Sequence, residues 1–117
     1  MITGLHTLLH ADDPDAARAF FRDVLEWPYV DAHGGWLIFR SGPSEIGVHP
    51  SDPGEAHHEI SFMCDDVEAT VAQLVERGAE FDGTIQNRGF GRTIGLRIPG
   101  AGTVLLYEPR HPTAVDL

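Results

Sequence analysis

Two histidines and a glutamate, His57, His58 and Glu59, open an apolar run, HHEISFMC. Imidazoles and carboxylates can carry protons or bind metal ions, so their use depends on which face of the chain each one occupies. Side chains alternate faces along a strand. With Ile60, Phe62 and Cys64 on one face, His57, Glu59, Ser61 and Met63 take the other, and His58 shares the parity of Ile60 at the strand mouth. His6, His49 and Glu108 are further polar residues at the ends of strand-like runs, in HTLL, EIGVHP and VLLYEP. Two imidazoles and two carboxylates make a borderline-hard donor set suited to Zn, Ni, Mn or Fe(II). Chemistry at such an ion requires an open coordination position.

A repeat supplies the elements that must position these residues. Residues 6–25, HTLLHADDPDAARAFFRDVL, lie without a gap over residues 59–78, EISFMCDDVEATVAQLVERG. Asp12 falls on Asp65, Asp13 on Asp66, Ala16 on Ala69 and Ala19 on Ala72. In each copy an apolar strand ends in Asp-Asp and a helix begins there. Asp12 or Asp13 can cap the first helix, with Pro14 in its first turn. Asp65 and Glu68 have capping-box spacing in the second. Phe20 and Val24 give the first helix an apolar stripe, as Val67, Val71, Leu74 and Val75 do in the second. Gly78 suits a helix C-terminus, whereas Glu26-Trp27-Pro28 stops the first helix.

Short strand-like runs follow each helix, at roughly 29–32, 35–40 and 45–49 and at roughly 80–85, 92–98 and 103–108. Each half therefore reads β-α-β-β-β. The expected fold is α+β, a single domain of 117 residues built from two βαβββ modules, about 1–52 and about 53–117. Their strands would form a curved mixed eight-stranded sheet around a cleft, with the helices outside. Leu5, Thr7 and Leu9 take the helix side of the first strand, and His6, Leu8 and His10 take the other. Glu45, Gly47 and His49 share one face, as do Val104, Leu106 and Glu108. The repeat equates His6 with Glu59 and His49 with Glu108, so all four are expected to point away from the helices, into the cleft. Cys64, by its parity, reads as a small core residue. The GFG at 89–91 reads as a hairpin turn.

Composition narrows the partners. The net charge of −10, with no cluster of arginines, opposes nucleic acid and an anionic membrane face and leaves open a cationic ligand. No apolar run approaches the roughly 18 residues of a membrane span. The N-terminal MITGLHTLLHADD lacks the basic and long apolar segments of a signal peptide. The single cysteine forbids an intramolecular disulfide and suits a reducing, cytoplasmic location.

The stretches GLHTLLHADDPDAARAFFRDVL, HEISFMCDDVEATVAQLVERGAEF and IPGAGTVLLYEP together resemble the vicinal oxygen chelate superfamily of glyoxalase I, bleomycin- and fosfomycin-resistance proteins and extradiol dioxygenases. In its metalloenzymes the ligands come from the first and last strands of both modules. His6 matches the first-strand position and Glu108 the final carboxylate. Glu59 stands where His is usual, and His49, or Gly47 in a shifted register, holds the remaining position. The resemblance implies a small-molecule ligand or substrate, a homodimer and a divalent metal. It carries two functions. One is a lyase, isomerase or epimerase of the glyoxalase type, with His6, His49, Glu59 and Glu108 holding the metal and Glu59 or Glu108 moving the proton. The other is a metal-free drug-binding protein of the bleomycin-resistance type, with Trp27, Trp36, Phe39 and Phe90 lining a groove.

Overall fold

The computed structural model describes residues 6–117. Helix α1, Pro14–Ala19, begins where the aspartates place it: Asp13 is the cap and its carboxylate accepts from the Ala16 N–H at 3.1 Å. The helix then widens into a π-helical turn over Phe20–Val24. Leu25 N–H donates to the Phe20 carbonyl, and Glu26 closes the helix in the left-handed conformation at φ 58°. Helix α2, Val67–Glu76, is capped by Asp66, whose carboxylate accepts from Ala69 N–H at 3.0 Å. The cap is thus Asp66 and not Asp65, and Glu68 pairs with Arg92 instead of closing a capping box. Gly78 ends this helix at φ 91°, a left-handed turn that glycine adopts without the steric cost of a side chain.

Strands β1, Tyr29–Asp31, and β2, Leu37–Phe39, form an antiparallel pair. Strands β3, Ser61–Met63, β4, Phe81–Arg88, β5, Gly91–Arg97, and β6, Thr103–Pro109, form a mixed sheet in the order β3-β6-β5-β4. The β3–β6 pair is parallel, with Ser61 opposite Leu105 and Met63 opposite Tyr107. Cys64 N–H extends that ladder by donating to the Tyr107 carbonyl at 2.9 Å. The second half is therefore the expected β-α-β-β-β unit.

The first half is not. Among the described residues there are six strands in two sheets, and neither 6–10 nor 45–49 is a strand. Leu5 lies outside the described residues. Residues 41–54 contain Pro43, Pro50 and Pro53 together with Gly42, Gly47 and Gly54. Proline has no N–H to give a ladder, and glycine weakens a strand, so this composition works against pairing. By the repeat with the parallel β3–β6 pair, 45–49 would be the partner of 6–10, so one unformed strand would leave the other without a ladder.

The core sits between the helices and the four-stranded sheet. It contains Val67 and Leu74 of α2, Ile94 and Leu96 of β5, Val104 and Leu106 of β6, Ile98, and Ala17, Phe20 and Phe21 of the first helix. An aromatic cluster joins the halves. Phe21 stacks on Trp27 with centroids 5.1 Å apart and meets Phe39 edge-on at 5.5 Å, while Trp27 meets Phe62 at 5.3 Å. Among the described residues no helix is long and apolar enough to cross a membrane.

Candidate functional site

The ladder registers sort the site residues by face. Ile60, Phe62 and Cys64 pack against the core on the helix side, while Ser61 is exposed, as strand parity requires; Glu59, before β3 begins, is exposed too. Burial pushes the Cys64 thiol above its ordinary range, as expected of a core cysteine. Directly opposed residues on neighbouring strands share a face. Ser61, Met63, Leu105, Tyr107 and Thr93 therefore lie together on the face turned away from α2. Thr93 is almost fully buried there, at 1% exposure.

Glu108 is not on that face. It alternates with the core residues Val104 and Leu106, and its Oε1 accepts from the Val67 N–H at 3.0 Å. That N–H belongs to the first turn of α2, where backbone donors have no partner within the helix and the helix dipole favours an anion. The expectation that Glu108 points away from the helices is thereby corrected. Identical alternation in EIGVHP and VLLYEP does not settle which face is inward; the pairing of β6 with β3 settles it.

The remaining three residues of the expected quartet are exposed. His6 has an open side chain. His49 Nδ1–H donates to the Pro50 carbonyl at 2.8 Å within an irregular segment. Glu59 pairs with His57, whose Nε2 stands 3.4 Å from its carboxylate. The His57 Nδ1–H donates to the Glu55 carbonyl at 2.9 Å, and this bond, followed by Glu59, raises the imidazole pKa. As arranged, the four do not fit a common metal centre. Glu108 is held by α2, and among the described residues no three His, Cys, Asp or Glu side chains form a metal-binding group.

The aromatic residues divide. Trp27 and Phe39 belong to the cluster between the halves, and Trp36 is exposed. Trp27 also walls a surface groove of about 470 Å³ with Pro28, Arg40, Ser41, Gly42 and Pro43. Phe90, in the β4–β5 turn, meets Tyr107 edge-on at 5.6 Å. Tyr107 in turn reaches His111, with its hydroxyl 3.2 Å from Nε2. The sequence reading passed over Tyr107 and His111. The parity of Tyr107 opposite Leu106 was available as a signal; His111 follows the last strand and carried none.

The fold is similar to several solved structures. An antibiotic-binding protein from Streptomyces sp. CB03234 matches at TM-score 0.59 and 22% identity, over 90% of this chain and 99% of that one. A lactoylglutathione lyase from Agrobacterium tumefaciens matches at TM-score 0.61 and 23% identity, over 87% and 90%. A genomically encoded fosfomycin resistance protein from Listeria monocytogenes matches at TM-score 0.56 and 16% identity, over 92% of each chain. No relative was found among curated proteins. At these identities the structural likeness speaks for the fold, and membership is carried by the family model, which matches residues 5–109. The chain belongs to the glyoxalase/bleomycin resistance protein/dioxygenase superfamily.

Proposed function

We propose that this chain is a small-molecule-binding protein of the bleomycin-resistance type that acts without a bound metal. The observation that carries this reading is the bond from Val67 N–H to Glu108 Oε1. A carboxylate committed to a helix terminus is not free for a metal, and the quartet then has one carboxylate, Glu59, instead of two. The ligand surface would be the sheet face of Ser61, Met63, Leu105 and Tyr107, a mixed apolar and hydroxylated lining of the kind small molecules prefer.

The reading includes a cytoplasmic homodimer. In the first half Leu8, Val30, Ile46 and Val48 are exposed at 58%, 65%, 72% and 96%, an apolar set that a second copy would cover. In the pair, residues 6–10 and 45–49 are expected to join the sheet, completing eight strands around the cleft.

Elemental analysis of protein purified without added metal, before and after chelation, tests the proposal. We expect well under one equivalent of Zn, Ni, Mn or Fe and unchanged ligand binding after chelation. About one equivalent per chain, lost together in His6→Ala, His49→Ala and Glu59→Gln, would overturn it. The glyoxalase-type metalloenzyme, with His6, His49, Glu59 and Glu108 as ligands and a carboxylate as base, would then take its place.

A further inference from the structure

The way the first helix ends fixes the wall of a groove. After the π-helical turn Glu26 stands at φ 58°, and Trp27 N–H donates back to the Phe21 carbonyl at 3.0 Å. The left-handed conformation is uncommon outside glycine, and the second half holds it in place. Arg77 donates to the Val24 carbonyl at 2.9 Å and pairs with Glu26 at 3.4 Å. The Trp27 ring is fixed as well: it stacks on Phe21 at 5.1 Å and meets Phe62 edge-on at 5.3 Å. Phe62 is on the helix side of β3, so Trp27 stands on the side opposite Ser61 and Met63.

The groove of about 470 Å³ beside Trp27 is lined by one charged residue, Arg40. Arg40 N–H donates to the Pro28 carbonyl at 2.9 Å, which sets residue 40 beside the Trp27-Pro28 step. The chain has eight arginines and no lysine. Arg18, Arg22, Arg77, Arg92 and Arg97 each pair with a carboxylate. Among the described residues Arg40 has no such partner, although the chain carries 18 acidic side chains. Arg88 and Arg110 share that state, away from this groove. A guanidinium presents a planar fork of donors that matches the two oxygens of a carboxylate. Trp27 and the ring of Pro28 offer apolar surface to a flat ring. The net charge of −10 opposes an anion at long range, which leaves Arg40 as the group that selects one.

We propose that Trp27, Pro28 and Arg40 form a second binding site, separate from the sheet face, for an aromatic carboxylate. Its ring lies against Trp27 and Pro28, and its two oxygens accept from the Arg40 guanidinium. All three residues precede the segment 45–49, and the Arg40–Pro28 bond holds them together wherever that segment pairs.

The test is an NMR titration of the full chain with benzoate and with benzamide, its uncharged isostere, read at the indole N–H signals. The chain has two tryptophans, and Trp36→Phe, at an exposed position, assigns the Trp27 signal. Saturable benzoate shifts at Trp27 are expected, with benzamide weaker by about three- to fivefold, the upper range of an exposed ion pair. Arg40→Gln, an exposed position without a partner to lose, is expected to abolish that preference. Arg40→Lys, which keeps the charge and loses the fork, is expected to keep part of it. Equal binding of the two ligands, or a preference that survives Arg40→Gln, would overturn the second site. So would shifts at Trp36 or at the sheet face in place of Trp27, or no saturable shift with either ligand. None of these outcomes touches the sheet-face reading, which is tested at Ser61, Met63, Leu105 and Tyr107 and by bound metal.

Discussion

The two halves of this chain begin with the same sequence logic and end differently. Residues 53–117 close a four-stranded sheet over α2 and bury Leu96, Ile98, Val104 and Leu106. Residues 6–52 make one short helix with a π-helical extension and a two-stranded ribbon, leaving Ile46 and Val48 open to solvent. The difference lies in the last strand of each copy. VLLYEP has an apolar partner in ISFM, whereas EIGVHP follows Pro43 by two residues and carries Gly47 at its centre. A repeat in sequence specifies where elements start; whether they pair depends on the backbone donors and apolar area each strand brings.

The largest expected effects break this comparison directly. Leu96→Ala or Leu106→Ala in the second half removes a side chain at 1% or 4% exposure and is expected to cost about 2–5 kcal/mol in urea unfolding. Ile46→Ser or Val48→Ser in the first half is expected to change the stability of the isolated chain by less than about 0.5 kcal/mol. The same two serine substitutions are expected to weaken self-association, measured by sedimentation over a concentration series. A cost of several kcal/mol for Val48→Ser in dilute monomer would mean that the first half is closed like the second.

This contrast also marks what the sequence could tell. The helix starts were legible to within a residue because an aspartate cap has a local cause: Asp13 caps the first helix, and Asp66, one residue past the expected Asp65, caps the second. Gly78 was legible as a C-terminus for the same reason. The first helix ends at the expected Glu26-Trp27-Pro28, but the means by which it ends was not legible. There Glu26 adopts the left-handed turn, and Arg77 from the end of α2 bonds the Val24 carbonyl at 2.9 Å and pairs with Glu26 at 3.4 Å, a contact between residues 53 apart in the alignment. The face of Ser61 followed from alternation within β3. The face of Glu108 depended on which strand lies beside it, and that is a tertiary fact.

Glu108 supplies the next test. If its role is to hold the first turn of α2, Glu108→Ala should lower stability by about 1 kcal/mol, in the range of a lost helix cap. Glu108→Gln keeps an oxygen acceptor for Val67 N–H and should cost only a part of that. Thermal unfolding of both variants separates this role from metal ligation, where the amide and the alanine would fail alike.

A smaller effect is expected in acid, at the far end of the second half. Asp82 accepts from the Thr103 hydroxyl at 2.6 Å and from Arg97 Nε, and these bonds lower its pKa, Thr103 contributing most. A carboxyl with a depressed folded pKa stabilises the fold above its unfolded value of about 3.9 and loses that contribution as pH falls through the lower folded value. Stability measured from pH 5 downward should therefore fall less steeply in Asp82→Asn than in the parent chain. Identical acid limbs would show that solvent already screens this exposed network.

The smallest expected effect concerns the residues that open the second half. His57 and Glu59 are both exposed, so their pairing adds little to stability, but it is readable by titration. The Glu55 carbonyl, and after it Glu59, raises the His57 pKa above the ordinary value of 6.5. A raised imidazole pKa stabilises the fold fully below the unfolded value, and the contribution disappears as pH rises through the folded one. An NMR titration should place the His57 midpoint above 6.5. Glu59→Gln should lower it only in part, because the larger cause, the Glu55 carbonyl, remains. If Glu59 instead served a metal, adding Zn or Ni at neutral pH would break the pair and lower the His57 midpoint in the parent chain as Glu59→Gln does. Under the metal-free reading the titration curve is expected to be the same with and without the ion.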